Sequence, residues 1–367
     1  MDFNLSREQQ LLRDGLNKFL TTRYELEKSR AAAKTGAGWQ PDIWRAFADE
    51  LGILGAPLPE HAGGMGGGAV EVMVIAEELG RALVTEPFID TVVVAGGLLQ
   101  RAGATEVLKA VTDGSAVVAL AATDGTPTTA TRDGDDWVIG GTKTVVMAAP
   151  LATHLLITAD IRDHTGLFLT EFDASAAPAG VTVHPYRTVD DRRAADIRFD
   201  GLRLPAAALI DDDATDSLEQ ACDEGAAAVC AEAVGAMHKV LADTVDYCKQ
   251  RQQFGQPIGG FQVLQHRMVD MHMEVEQAVA AAYLATLTLG AEPTERARAV
   301  SAAKATVGRA ARFVGQNAVQ LHGGMGMTEE LAIGHYFKRL TAVQYEFGST
   351  DFHRTRYAKL TRSHAPG

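Results

Sequence analysis

Two stretches of the chain set polar side chains beside glycines in patterns suited to a phosphate-bearing ligand. Gln320-Leu-His-Gly-Gly-Met-Gly326 closes a long alanine-rich helical pattern with glycines that let a backbone approach a ligand closely. Arg251-Gln-Gln-Phe-Gly255 offers a guanidinium fork that matches phosphate oxygens and, at Phe254, a ring that can cover an adenine or ribose face. A plainer account of this second stretch is a helix end, where Arg favours the negative end of the dipole and Gly takes a positive φ. Proton transfer would need a carboxylate. Glu232 lies within the apolar run 226–236, where an unpaired carboxylate is costly to bury; it must be salt-bridged, solvated or held in a pocket for use. His322 beside the glycines can shuttle a proton or cap a helix. His266, His272 and His353 have no partners at metal-ligand spacing, so no metal site is expected.

These residues need elements to hold them. Ser6 and Gln9 form a capping-box start, followed by Leu12, Leu16, Phe19 and Leu20 at helical spacing. Helical patterns continue to about residue 110, broken by Pro57-Leu-Pro59 and by the glycine run Gly63 to Gly68. That run has no Gly-Lys-Ser or Gly-Lys-Thr after it and no strand before it, so it reads as a turn rather than a phosphate loop. From about Val117 the pattern becomes short β-branched or aromatic runs, Trp137-Val-Ile139, Leu155-Leu-Ile157, Leu167-Phe-Leu169 and Val181-Thr-Val183, separated by turn residues. Beyond Asp216, helices run roughly from Leu218 to Arg251, Gln262 to Leu289 and Thr294 to His322, with two shorter ones after. Helices, then antiparallel-looking strands, then helices predict an α+β chain: an all-α domain over 1–115, a β domain over 116–216 and a helical bundle domain over 217–367.

At 367 residues with 46% hydrophobic content, more than one packed unit is expected. A net charge of -13 and a pI near 5.3 argue against a nucleic-acid surface or an anionic-membrane surface, since either needs clustered Lys and Arg. Cys222, Cys230 and Cys248 share one helical segment without metal or disulfide spacing and read as small buried packers. No signal-peptide pattern opens the chain and no uninterrupted apolar run reaches spanning length, which gives a cytoplasmic expectation.

The order and separation of Arg251-Gln-Gln-Phe-Gly255 and Gln320 to Gly326 resemble the R-x-x-F-G and Q-x-x-G-G-x-G signatures of the acyl-CoA dehydrogenase family. The likeness covers nearly the whole chain: Pro59-Glu-His-Ala-Gly-Gly-Met-Gly66 resembles P-E-x-x-G-G-x-G, Ile139-Gly-Gly-Thr-Lys143 resembles L-x-G-x-K, and Phe261-Gln262 follows the first signature as in the family. The resemblance implies FAD as cofactor, bound mainly to a neighbouring subunit, with Arg251, Phe254, Gln262, Gln320, Gly323 and Gly324 on its adenosine diphosphate side. It implies a helical domain, a β-barrel-like domain and a four-helix bundle. It also implies a homo- or hetero-oligomer, dimer or tetramer, an acyl-CoA substrate and electron-transfer flavoprotein as acceptor.

The chain departs from the family where the chemistry would be. The family's Y-E-G-T base motif is similar to Tyr345-Glu-Phe-Gly-Ser-Thr350, but Phe347 stands in the base position and Glu346 is one residue away. The family's other base position matches Gly225, with Ala226 beside it. Of the carboxylates near these two positions, Glu224, Glu232 and Glu346, the resemblance makes Glu346 the candidate base and Glu232 the alternative. The flavin-ring segment T-E-P-x-x-G-S-D is replaced by Ala121-Ala-Thr-Asp-Gly-Thr126, and W-I-S/T by Val145-Val-Met147. Two functions follow: an FAD-dependent dehydrogenase desaturating an acyl-CoA, or a non-catalytic subunit completing the FAD site of a heteromeric enzyme, as in bacterial members acting on bulky acyl-CoAs. A non-enzymatic or nucleic-acid-binding relative is disfavoured by charge.

Overall fold

The computed structural model describes residues 5–35 and 38–362. Its first helices are α1 (Arg7–Arg23), α2 (Leu26–Lys34), α3 (Pro41–Asp49), α4 (Ala69–Ala82), α5 (Gly96–Arg101) and α6 (Thr105–Thr112). Strands follow: β1 (Val118–Ala121), β2 (Asp124–Asp133), β3 (Asp136–Met147), β4 (His154–Ile161), β5 (His164–Glu171), β6 (Val181–Arg187), β7 (Arg193–Pro205) and β8 (Leu209–Asp211). The chain then returns to helix with α7 (Thr215–Gln250), α8 (Gln262–Leu287), α9 (Pro293–His322), α10 (Ala332–Ala342) and α11 (Thr350–Arg362). A helical N-terminal region, a central mixed sheet and a C-terminal helical domain are thus present, as the sequence pattern predicts.

Residues pack into two compact units, neither continuous in sequence. One draws on Met1–Leu26, Ala69–Val84 and Asp223–Gly367, the other on Glu27–Gly68 and Thr85–Cys222. In the first, the Ser6 capping box forms, with the Gln9 amide donating to Ser6 Oγ at 3.2 Å and the Ser6 amide donating to Gln9 Oε1 at 2.9 Å. Leu16, Phe19 and Leu20 bury the apolar face it opens. Helices α4 and α7 cross at two glycines: a Cβ on Gly80 would overlap the Glu232 carbonyl, and one on Gly235 the Glu77 carbonyl. That close backbone approach fixes the stretch of α7 that carries Glu232. α9 buries one face along its length and packs on α8, α10 and α11.

The second unit holds the sheet, in the order β6-β7-β3-β2-β4-β5-β8, with β1 on β4. Antiparallel pairing dominates, but β1 and β2 both run parallel to β4, so the sheet is mixed where the turn-rich sequence suggested antiparallel strands throughout. Parallel register is set by long-range pairing that local turn signals do not encode. One face is filled by Trp137, Ile139, Leu155, Phe168 and Phe199. The glycine run is the turn expected of it: Gly63 caps a short 3-10 segment at φ 81°, and a Cβ on Gly64 would overlap the Leu58 carbonyl.

One expectation needs correction. Cys222 is exposed, because it lies on the open side of the first turns of α7, while Cys230 and Cys248 are buried. α7 is long and apolar enough to cross a bilayer by length and composition, although 78% of its most apolar window is buried in the protein, as in a core helix.

Candidate functional site

At the end of α7 the Arg251 stretch folds into a small hairpin. Gln253 pairs with Gln256 across a two-residue loop, Phe254 and Gly255, both at positive φ (51° and 77°), which is the backbone of a type I′ turn. This turn holds Phe254 outward at 89% exposure, edge-on to Phe261 at 6.0 Å. Arg251 is exposed and makes no ion pair among the described residues. Gln262, the first residue of α8, is exposed as well.

The second glycine stretch lies against the base of this hairpin. Tyr247, in the last turn of α7, stacks on His322 at 4.3 Å and 24°, and its hydroxyl donates to the His322 carbonyl at 3.4 Å. The His322 ring is buried and bonded through Nδ1 to the Ala318 carbonyl at 2.8 Å, so it closes the helix rather than facing a ligand. Gly323 turns the chain at φ 61° and ψ -142°, a conformation open essentially only to glycine. Nothing lies within 4 Å of where a Cβ would sit on Gly323 or Gly324, and Gln320 is exposed. Arginine, aromatic ring and bare backbone are thus brought to one end of the same unit.

The glutamates lie in a different setting. Arg339, on α10 and 3% exposed, donates Nε to Glu232 Oε1 at 2.9 Å and Nη2 to Glu232 Oε2 at 2.6 Å. The same guanidinium donates Nη1 to Glu346 Oε1 at 2.5 Å and Nη2 to Glu346 Oε2 at 2.8 Å. Both candidate bases therefore share one cation, with all four carboxylate oxygens accepting from it. Of the three fates open to Glu232, the salt bridge is the one present. A pair this buried (3% and 2% exposed) is held because breaking it strands a charge.

The turn that carries Glu346 is tied down from two more sides. Lys304, fully buried on α9, donates to the carbonyls of Val343 (2.8 Å) and Gly348 (2.9 Å); burial pulls its pKa down. His353 on α11 holds the Phe347 carbonyl through Nε2 at 2.9 Å and meets Ser301 Oγ at 3.3 Å. Burial lowers its pKa to about 4, so the ring is neutral at pH 7. Beside this turn opens a groove of about 650 Å³ lined by Tyr345, Ser349, Thr350, Arg309, Arg312 and Arg354. Arg309 is engaged by Glu274 and Gln277, whereas Arg312 and Arg354 make no ion pair among the described residues.

In the other unit, Asp124 and Thr126 of the segment 121–126 are bonded within the sheet, although residues 123–127 are exposed. Lys143, 1% exposed, donates to Asp124 Oδ1 (2.6 Å), Thr158 Oγ1 (2.8 Å) and the Ala122 carbonyl (3.2 Å), and burial pulls its pKa down. The Thr126 amide donates to Thr142 Oγ1 at 2.7 Å. Val145 sits at φ 52° in a bulge where two residues of β3 oppose Asp196 of β7. Its amide donates to Asp196 Oδ1 at 2.9 Å, yet its side chain is 56% exposed. A β-branched residue at positive φ is strained, and here the strain carries no polar group to the surface.

Comparison with known proteins fits this geometry. The model described as acyl-CoA dehydrogenase, N-terminal domain, matches residues 6–114, and that described as acyl-CoA dehydrogenase, C-terminal domain, matches 215–360. Acyl-CoA dehydrogenase IpdE2 of Mycolicibacterium smegmatis is 32% identical over 335 residues, 91% of this chain and 93% of that protein. The chain belongs to the acyl-CoA dehydrogenase family. Among solved structures, a variant of the Tcur3481-Tcur3483 steroid ACAD superposes with a TM-score of 0.87 at 28% identity, covering 97% and 98% of the two chains. The ChsE4-ChsE5 complex from Mycobacterium tuberculosis shares the fold with a TM-score of 0.91 at 24% identity over 100% of each chain.

Acyl-CoA dehydrogenases of this fold bind FAD, and this chain fits that group at one end. The exposed Arg251, the outward Phe254 and the open space at Gly323 and Gly324 suit a diphosphate and a nucleoside. At the ring end the fit is poorer, since Asp124 and Thr126 are bonded within the sheet and the Val145 side chain offers no polar group. The sequence carries no direct signal for Arg339 or Lys304, and for His353 shows only that it lacks metal-ligand partners. The signal for Arg339 was indirect: a carboxylate in an apolar run demands a buried cation from elsewhere.

Proposed function

We propose that this chain is the FAD-site-completing subunit of a heteromeric acyl-CoA dehydrogenase, an assembly that introduces an α,β double bond into an acyl-CoA thioester. The observation that carries the reading is Arg339: its guanidinium donates to every carboxylate oxygen of Glu232 and Glu346, so both are ion-pair partners in the fold and weaker bases for it. FAD, when bound, accepts the hydride from the substrate β-carbon. On this chain Arg251 and the backbone of Gly323 and Gly324 would hold its diphosphate, with Phe254 over the nucleoside and Gln262 and Gln320 at the rim. The base and the ring contacts belong to the partner subunit. Two neighbours whose names join two chains, one of them called a steroid ACAD, support a heteromer acting on a ring-bearing acyl-CoA. The exposed Val263, Val269, Met273, Leu284 and Leu287 of α8 support assembly through the C-terminal helices. Electron-transfer flavoprotein is the acceptor we assign.

A second reading, a homomeric dehydrogenase with Glu346 as base, is favoured by one observation: Glu346 keeps 19% exposure beside the arginine-lined groove. The flavin absorbance spectrum separates the two. The chain purified alone should elute without flavin, and co-expression with a paired acyl-CoA dehydrogenase chain should give a yellow complex on gel filtration. A flavin-loaded homo-oligomer of this chain alone would overturn the proposal.

A further inference from the structure

The glycine turn after α9 has little of its own to hold it. Gly323 and Gly324 are exposed and carry no side chains, and nothing lies within 4 Å of where their Cβ atoms would sit. Glycine loses more conformational freedom on being fixed than any other residue, so the place of this turn must come from its neighbours. On one side Gly326 packs on the last turn of α9, where a Cβ would come within 2.8 Å of the Val319 carbonyl and 3.1 Å of the His322 Cβ. On the other, the peptide joining His322 to Gly323 is held at both ends. Its oxygen accepts from the Tyr247 hydroxyl at 3.4 Å, and its nitrogen donates to the Gln320 carbonyl.

Tyr247 also fixes the arginine stretch. Its carbonyl accepts from the Arg251 amide at 2.9 Å, and the Arg251 carbonyl accepts from the Ile258 amide at 2.8 Å where the hairpin returns. The residue that anchors the Arg251 backbone thus carries the ring that lies on His322, at 4.3 Å and 24°, across 75 residues of sequence. We propose that the Tyr247–His322 stack is a positioning element for FAD, setting the Arg251 backbone and the Gly323 turn in register so that one diphosphate is met from both. The two residues act through Arg251 and the glycines and need not touch the cofactor; the His322 ring is turned inward by its bond to Ala318. Groups that share one ligand must be held to within about 0.5 Å by the packing behind them, and an exposed arginine and a bare backbone cannot supply that themselves. The inference rests on the assignment of the FAD diphosphate to this end of the chain, and is indifferent to which subunit supplies the base.

The test is a double-variant cycle on the FAD dissociation constant of the flavin-carrying assembly, read by flavin fluorescence after the cofactor has been stripped. Arg251→Ala should weaken FAD by about tenfold or more and Tyr247→Leu by about tenfold; together they should lose no more than about threefold beyond Arg251→Ala alone, because a displaced arginine and an absent one forfeit the same contact. A stack that only steadies the fold would act independently and add a further tenfold or so to the Arg251→Ala loss, which overturns the proposal. Tyr247→Phe keeps the ring and should stay within about threefold of wild type, since the hydroxyl bond is a long one; a loss as large as that of the Leu variant also overturns it. His322→Asn removes the other ring while its amide can still donate to the Ala318 carbonyl. It should repeat the result of Tyr247→Leu, and it decides if Tyr247→Leu fails to melt cooperatively. Wild-type affinity in the Leu and Asn variants, with Arg251→Ala still weakened, overturns the stack and leaves the diphosphate site standing, whereas an Arg251→Ala variant of wild-type affinity overturns both. Neither outcome depends on whether the chain alone elutes with flavin, which tests the heteromeric reading.

Discussion

The end of the helical unit that carries Arg251 and Gly323 and the turn that carries Glu346 come from the same bundle, yet they treat polar groups in opposite ways. At the first, a guanidinium is exposed without an ion pair among the described residues, a phenylalanine stands 89% exposed on a type I′ turn, and two glycines face open space. At the second, Arg339, Lys304 and His353 consume the carboxylates and carbonyls around them. Groups left unsatisfied at a surface are available to a ligand, and groups satisfied inside are available to the fold. On the proposed function, the first region binds the nucleotide and the second supports the fold.

The contrast breaks most readily at Arg339. Arg339→Leu strands two carboxylates and should cost about 3–5 kcal/mol of unfolding free energy, measured by urea denaturation. A loss under 1 kcal/mol would mean that the glutamates are free to act. At the other end, Arg251→Ala should leave stability within about 0.5 kcal/mol but weaken FAD retention in the assembled enzyme by about 1.5–3 kcal/mol. Full flavin content after dialysis would remove Arg251 from the diphosphate.

The closed region should also respond to acid. His353 is neutral in the fold with a pKa near 4 against an ordinary 6.5, so the unfolded chain binds the extra proton between those values. Stability from this ring is complete above about pH 6.5, falls as the pH drops toward 4, and is flat below. The loss should be on the order of 1–2 kcal/mol after allowance for solvent screening, and His353→Gln should flatten it in urea melts at pH 7 and pH 4.5. The smallest effect concerns Phe254→Ala, which should cost FAD retention about 0.5–1.5 kcal/mol with no change in melting temperature. An unchanged retention would reduce Phe254 to a surface residue of the hairpin.

What could be read from the sequence was what local rules encode. The capping box at Ser6, the three long helices and the glycine turn at Gly63 follow from side-chain period and backbone freedom, and the helix ends agree to within a few residues. The parallel pairing of β1 and β2 with β4 was not readable, because register is settled across the sheet. The site divided in the same way. Glycines and arginine at α7 and α9 announce themselves by type and spacing. Glu232 and Glu346 looked like alternatives, and only the fold puts one arginine between them, 107 residues from the first. Phe347 looked like an insertion in a base motif; its positive φ and its place among alanines belong to the packed bundle.

The most direct test of the central claim, that the glutamates here are structural, is anaerobic flavin reduction by the assembled enzyme with Glu346→Gln in this subunit. Glutamine keeps the size of the side chain and can still accept from Arg339, while a base at this position would be lost. We expect flavin content and the rate of bleaching by a ring-bearing acyl-CoA to stay within about twofold of wild type, since no transition-state interaction is removed. A fall in the bleaching rate by orders of magnitude with flavin content intact would identify Glu346 as the base and contradict the account.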